Sequence, residues 1–138
     1  MTEYERSRTL PALPELVFDQ VADPGLADRW LPHELHLRPE SPPAVTVHED
    51  DDRGGHDVAA LFRAEPDQMR VEWGTRADGH YAGWLQVAGL GSGASEVTVH
   101  LSFFDEEHAP DREAVSRALD ESLDRLGEQV GMRTQDTG

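Results

Sequence analysis

The stretch that decides the fold is "PALPELVFDQVADPGLADRWLP", residues 11–32. It contains four prolines, yet its apolar residues recur at the spacing of helices. Pro14 suits the first turn of a helix, where the N–H that proline lacks would have no intrahelical partner. Asp23 and Pro24 repeat this start, with Asp23 as N-cap and Pro24 as the first helical residue. Pro32 ends the second segment, so the sequence predicts two short consecutive helices.

Strands are predicted on both sides of these helices. Residues 4–10 precede them and are interpreted as a first strand. After them, apolar and polar residues alternate in short runs separated by Gly-, Asp- and Pro-rich turns, which favours an antiparallel meander of five or six strands. The runs lie at residues 45–47, 58–62, 69–73, 81–87 and 97–103.

One long helix is predicted over residues 111–130, and Gly131 is expected to end it. Residues 132–138 would then form a flexible C-terminal tail, and residues 1–131 a single domain. The helix has one apolar stripe at helical spacing, interrupted by Ser122. The stripe consists of Val115, Leu119, Leu123, Leu126 and Val130.

A sheet with one apolar face and a helix with one apolar stripe must bury these surfaces against each other. The simplest arrangement is an α+β fold. In it, a curved antiparallel sheet wraps around the long C-terminal helix, and the two short helices follow the first strand. The length of 138 residues fits one such domain.

Composition excludes several functions. The formal net charge of −16 disfavours binding to nucleic acid or anionic lipid. The absence of cysteine excludes disulfides and thiolate nucleophiles, and the absence of lysine excludes a side-chain Schiff base. No apolar run approaches the ~20 residues that span a bilayer, and the charged N-terminus does not resemble a signal peptide. We therefore expect no membrane insertion and a cytoplasmic protein.

Three short motifs resemble known sites, but their spacing fails. "HELH", residues 33–36, separates its histidines by two residues rather than the three of HExxH. "EDDDRGG", residues 49–55, lacks the alternating acids and distal Glu of a calcium loop. "GLGSG", residues 89–93, lies between two predicted strands and opens no helix that would bind phosphate. The sequence predicts no metal and no cofactor.

Four segments together resemble a known superfamily: "SRTLPALPELVFDQVADPGLADRWLP", "RVEWGT…GHYAGWLQV", "EVTVHLSFF" and "ALDESLDRLGEQV". They are similar to the SRPBCC or START-like (Bet v 1-like) proteins, and to the polyketide cyclase/dehydrase-like branch in particular. The resemblance implies a helix-grip fold. It also implies a cavity between sheet and long helix that often takes a hydrophobic small molecule, with the short helices beside its entrance.

In such a fold the inner face of the sheet is both core and cavity lining. Tyr81 would be a sparse polar group that orients a ligand. Ser122 would either meet the ligand or bond to a carbonyl one turn earlier. A cavity filled by Trp73 and Trp84 is also compatible with the sequence. The residues predicted to line the ligand site are Trp30, Phe62, Met69, Trp73, Tyr81, Leu119, Ser122 and Leu123.

Three functional hypotheses follow, and none comes with a predicted oligomeric state. The first is binding of a lipid, polyketide or aromatic molecule. The second is an enzyme of the polyketide cyclase/dehydrase kind, in which Tyr81 or His80 moves a proton. The third is a protein-interaction module, similar to superfamily members that assist a chaperone ATPase. Glu72 and His100 are unsuited as an acid–base pair, because alternation places them on the polar face of the sheet.

Overall fold

The computed structural model describes residues 2–50, 54–75, 81–104 and 111–137, with the side chains of the last range described to Met132. Seven strands form one curved antiparallel sheet in the order β1-β7-β6-β5-β4-β3-β2. The predicted hairpin at residues 89–93 joins β6 to β7. The strands are β1 Thr2–Leu10, β2 Leu35–Pro39, β3 Ala44–Glu49, β4 His56–Glu65, β5 Arg70–Thr75, β6 Tyr81–Gly91 and β7 Ala94–Phe103.

The proline-rich stretch forms an α-helix followed by a 3-10 helix, and both begin at the prolines that the sequence predicts as first helical residues. Helix α1 spans Pro14–Ala22, and a 3-10 helix spans Pro24–Arg29. Asp23 caps the second segment, because its Oδ1 accepts a hydrogen bond from the Gly25 N–H at 2.8 Å. At the end of the second segment, the Ala27 carbonyl accepts an i→i+3 bond from the Trp30 N–H and an i→i+4 bond from the Leu31 N–H.

Strand β2 was not among the strands predicted from the sequence. Its residues Leu35 and Leu37 do alternate with polar ones, and they pair with Glu49 and Val47 of β3. Two apolar residues followed by Pro39 make a weak strand pattern. The proline is tolerated because β2 is an edge strand, where an absent N–H interrupts no ladder.

Helix α2 spans Arg112–Thr137, so the prediction that Gly131 ends it was wrong. The helix continues through most of residues 132–138, which we expected to form a tail. A glycine inside a helix costs only about 1 kcal/mol relative to alanine, and this does not by itself stop a helix. None of the helices in the described ranges is long and apolar enough to cross a membrane.

The core lies between the concave face of the sheet and α2. Helix α1 contacts both the second half of α2 and the sheet, and it fills one end of the space between them. The residues with the least exposure in this filled end are Val17, Val21, Val71, Leu85, Val97, Leu123, Leu126 and Val130. The other end of the space, beside the first half of α2, is where a site can form.

Candidate functional site: a cavity between sheet and helix

A cavity of about 510 Å³ lies between the sheet and the first half of α2. Its lining includes residues at or near the strand ends where β2, β4 and β6 begin and where β3, β5 and β7 end. They are Leu35, Glu49, Val58, Thr75, Tyr81 and Phe103. The lining is mostly apolar, so the cavity is suited to a hydrophobic molecule.

The 3-10 helix forms one wall of the cavity, and α2 fixes its position through polar contacts. The Ser122 Oγ donates to the Trp30 carbonyl at 2.8 Å. Arg125 donates to the Leu31 carbonyl and, through Nη2, to the Asp28 carbonyl at 2.8 Å. These bonds satisfy carbonyls at the end of a short helix and hold Trp30, which is 3% exposed, against the cavity.

Trp73 and Tyr81 form the polar pair of the cavity. The Trp73 Nε1 donates to the Tyr81 hydroxyl oxygen at 2.8 Å. The indole lies across Gly83, its cross-strand partner, where a Cβ would come within 2.5 Å of Nε1. Gly83 therefore leaves the room that the indole needs to reach Tyr81. On its other side, Tyr81 stacks on Phe103 with 5.0 Å between ring centroids.

Burial raises the pKa of Tyr81 to about 12, and the Trp73 N–H only partly offsets this. The phenol is therefore neutral at physiological pH and acts as a hydrogen-bond donor rather than a base. Its oxygen accepts from Trp73, while its proton has no acceptor among the described residues. A ligand atom in the cavity is the partner that this proton can still take.

A family model described as "polyketide cyclase / dehydrase and lipid transport" matches residues 1–131. The chain belongs to this family. The match covers the seven strands, α1 and most of α2. It confirms the resemblance to SRPBCC or START-like proteins that the sequence segments indicated.

Solved structures confirm the helix-grip fold. The Zhui aromatase/cyclase from Streptomyces sp. R1128 superposes with a TM-score of 0.75 at 16% identity, over 99% of this chain and 98% of that one. A START superfamily protein from Mycobacterium smegmatis gives 0.74 at 14% identity, over 94% and 97%. The di-domain ARO/CYC StfQ of the steffimycin pathway gives 0.73 at 21% identity, over 96% of this chain and 46% of that one. No curated protein matches the sequence.

Six of the eight residues predicted to line the family's cavity do so: Trp30, Phe62, Trp73, Tyr81, Leu119 and Ser122. Ser122 does not bond to a carbonyl of its own helix, since its hydroxyl reaches Trp30 instead. Whether these residues contact a ligand stays a prediction.

Met69 and Leu123 lie outside the cavity lining. Met69 has a left-handed backbone, φ 50°, at the end of the 3-10 turn Pro66–Gln68, and β5 begins only after it. The strand alternation therefore does not extend to its side chain, which packs half-buried against the core. Leu123 is 1% exposed within the filled end, one turn beyond Leu119.

The lining contributed by β2 was missed because β2 was not recognised as a strand, and the lining from the predicted strand β3 was not identified either. Leu35, Leu37 and Val47 lie on the inner face there, and Glu34 and Glu49 also line the cavity. The alternation of Leu35 and Leu37 was the feature that could have revealed them. Ala114 and Ala118 of α2 were also missed, since small side chains carry little weight in an apolar stripe.

Trp84 does not fill the cavity, because it lies on the outer face of the sheet. Its ring stacks on His100 at 5.2 Å, and the Arg70 guanidinium lies 4.4 Å from the ring centroid. His100 in turn faces Glu5, with 3.1 Å between Nδ1 and Oε1. Glu72 and His100 thus face away from the cavity, as alternation predicted. His80, the other candidate proton carrier, lies outside the described residues.

The histidine of "HELH" that contacts α2 is His33. Its Nδ1 lies 2.5 Å from the Glu121 Oε1, and the two carboxylates of Glu34 and Glu121 lie within 4.8 Å of it. The hydrogen bond that the Glu121 carboxylate accepts from the His33 ring raises the pKa of His33 and lowers that of the Glu121 carboxyl. The cluster is an exposed ion-pair group that links α2 to the segment after the 3-10 helix. The absence of a metal stays a prediction.

Proposed function

We propose that the chain binds a hydrophobic small molecule of lipid, polyketide or aromatic type in the cavity between the sheet and α2. The observation that carries this proposal is the cavity itself, about 510 Å³ with a predominantly apolar lining. Ligand sites in proteins have volumes of about 300–1,000 Å³ and a similar lining with few polar groups.

Burial of the ligand supplies most of the affinity in this proposal. Each 100 Å² of apolar surface removed from water contributes about 2.5 kcal/mol before the costs of association. The family description names lipid transport, and two of the similar structures are described as aromatase/cyclases or ARO/CYC proteins. Both support a hydrophobic ligand for this chain without identifying it.

The test compares one substitution that fills the cavity with one that does not. Ala118 lies on α2 in the lining, whereas Ala59 of β4 is exposed on the opposite face of the sheet. The neutral fluorophore N-phenyl-1-naphthylamine is titrated into wild type, Ala118→Trp and Ala59→Trp.

We expect wild type and Ala59→Trp to bind the fluorophore equally, and Ala118→Trp to bind at least tenfold more weakly. Equal binding by all three proteins would place the fluorophore outside the cavity. No fluorescence enhancement or thermal shift with this probe and a panel of hydrophobic compounds would refute the proposal. Native mass spectrometry of the purified protein tests separately for a co-purified ligand.

Catalysis and protein interaction have less support than binding. A cyclase or dehydrase needs a group that moves a proton. In the described lining, the raised pKa of Tyr81 keeps it a neutral donor. The carboxylates of Glu34 and Glu49 each lie 3.6 Å from a histidine nitrogen, of His33 and His56 respectively. A filled cavity would have favoured an interaction module, and the cavity of about 510 Å³ does not supply that support. We therefore place small-molecule binding ahead of both.

A further inference from the structure

We propose that the cavity selects neutral hydrophobic ligands that present a hydrogen-bond acceptor, such as a ketone carbonyl, to the Tyr81 hydroxyl, and that it rejects carboxylates of the same shape. This inference rests on the proposed function and adds to it the chemical class of the ligand. It follows from an inventory of donors and charges in the lining.

Only one side-chain donor of the described lining remains as a candidate for bonding to a ligand. The Ser122 hydroxyl donates to the Trp30 carbonyl, and the Trp73 N–H donates to Tyr81. The Thr75 hydroxyl lies 3.4 Å from the Tyr81 carbonyl oxygen, to which it donates. The indole Nε1–H of Trp30 has no acceptor, but it is fully enclosed by protein atoms and so is out of a ligand's reach. This leaves the phenol proton of Tyr81.

The Trp73–Tyr81 bond strengthens that donor. A hydroxyl that accepts a hydrogen bond becomes more polarised and donates more strongly in turn. The bond also fixes the position of the hydroxyl oxygen, because Gly83 and the stack on Phe103 hold the two rings from either side. A ligand carbonyl therefore meets a donor whose orientation entropy is already lost.

The charges of the cavity act against anions. The lining contains no arginine or histidine within the described ranges, and its two charged residues are Glu34 and Glu49. Each of these carboxylates lies 3.6 Å from a histidine nitrogen outside the lining, of His33 and His56 respectively. Arg63 alternates with the lining residue Phe62 and therefore points to the outer face. A carboxylate ligand would lose its hydration without meeting a cationic side chain of the described lining, whereas a neutral ketone would not incur this cost.

Three probes that share one ring system separate these effects at pH 8. They are the ketone 6-propionyl-2-dimethylaminonaphthalene, the carboxylate 6-dimethylamino-2-naphthoate and the acceptor-free 2-dimethylaminonaphthalene. We expect wild type to bind the ketone at least tenfold more tightly than the carboxylate. Tyr81→Phe should weaken the ketone by about three- to tenfold, the effect of one neutral hydrogen bond, and leave the acceptor-free probe unchanged.

A pair of double variants tests the charge argument. The double variant Glu34→Gln/Glu49→Gln removes both carboxylates of the described lining. It should raise the affinity for the naphthoate severalfold and change the affinity for the ketone little. The matched control, Glu15→Gln with Asp19→Asn, removes two exposed carboxylates of α1 that do not line the cavity. It should leave all three affinities unchanged.

The outcomes distinguish the two proposals. If wild type binds none of the three probes, the proposed function fails. If it binds the acceptor-free probe but Tyr81→Phe leaves the ketone unaffected, or if the naphthoate binds as tightly as the ketone, this inference fails and the proposed function stands. If Tyr81→Phe does not fold, the carbonyl stretch of the ketone bound to wild type decides: a frequency no lower than in hexane overturns the inference.

Discussion

The two halves of α2 carry the same apolar stripe but meet different surroundings. In residues 112–122, Val115 and Leu119 border the cavity. In residues 123–132, Leu126 and Val130 are at most 1% exposed and pack in the filled end, which α1 also occupies. The difference shows that periodicity places a residue on the inner face of a helix, whereas the element opposite decides whether it borders a space or a core.

The two halves are also attached to the rest of the fold in different ways. Beyond Arg125, the second half packs through the buried side chains of Leu126 and Val130. Around the end of the first half, the attachments are polar: Ser122 and Arg125 donate to carbonyls of the 3-10 helix, and Glu121 accepts from His33. These hydrogen bonds from α2 to the backbone fix the position of the 3-10 helix at the side of the cavity, and they do so without filling the cavity.

The largest expected effect on this comparison comes from truncating one leucine in each half of α2. We expect Leu126→Ala, in the filled end, to lower the free energy of unfolding by about 4 kcal/mol, and Leu119→Ala, which already borders empty space, by about 2 kcal/mol. Urea denaturation of both variants measures the difference. Equal losses would mean that the space beside Leu119 is closed in solution.

A smaller effect, of opposite sign, tests the length of the second half. Because Gly131 lies inside α2 and a Cβ there meets no atom within 4 Å, Gly131→Ala should stabilise the protein by about 1 kcal/mol. Thermal unfolding measures the change. The control is Gly91→Ala, where φ of 78° makes a side chain strained and the expected change is a loss. A loss at Gly131 as well would mean that the helix ends there.

Periodicity and punctuation in the sequence were sufficient to predict the fold. Pro14 and Asp23–Pro24 begin their helices where predicted, and the alternation over residues 97–103 corresponds to β7. Strand β2 was missed because two leucines ahead of Pro39 are too few to establish a period. The end of α2 was missed because glycine adopts both helical and left-handed backbone conformations, and the sequence does not show which one Gly131 has.

The candidate site was predictable only where one strand's alternation was clear. Trp73 alternates with polar neighbours and was correctly placed inward, whereas Trp84 lies in a run that is apolar on both parities. Its outward position depends on Arg70 and His100 from the neighbouring strands, which cover both faces of its ring. The prediction that Met69 and Leu123 line the cavity was wrong for a related reason. Their accessibility depends on where β5 begins and on what packs against α2, and both are tertiary features.

The smallest effect concerns the rim contact between His33 and Glu121, which is exposed to solvent. The pKa of His33 is raised above 6.5, so its contribution is fully present below pH 6.5 and is lost as pH rises through the raised value. The pKa of Glu121 is lowered below 4.5, so its contribution is lost only as pH falls through that lowered value. Between about pH 4.5 and 6.5 both contributions are present.

We therefore expect His33→Gln to lower the urea midpoint slightly at pH 5.5 and to match wild type at pH 9. Glu121→Gln should lower the urea midpoint by a similar amount at pH 5.5. The double variant should lower it no further than either single variant, because both substitutions remove the same contact. A midpoint difference that persists unchanged at pH 9 would show that the effect of the His33 side chain does not depend on its charge, since the variant keeps the backbone N–H that donates to Glu121.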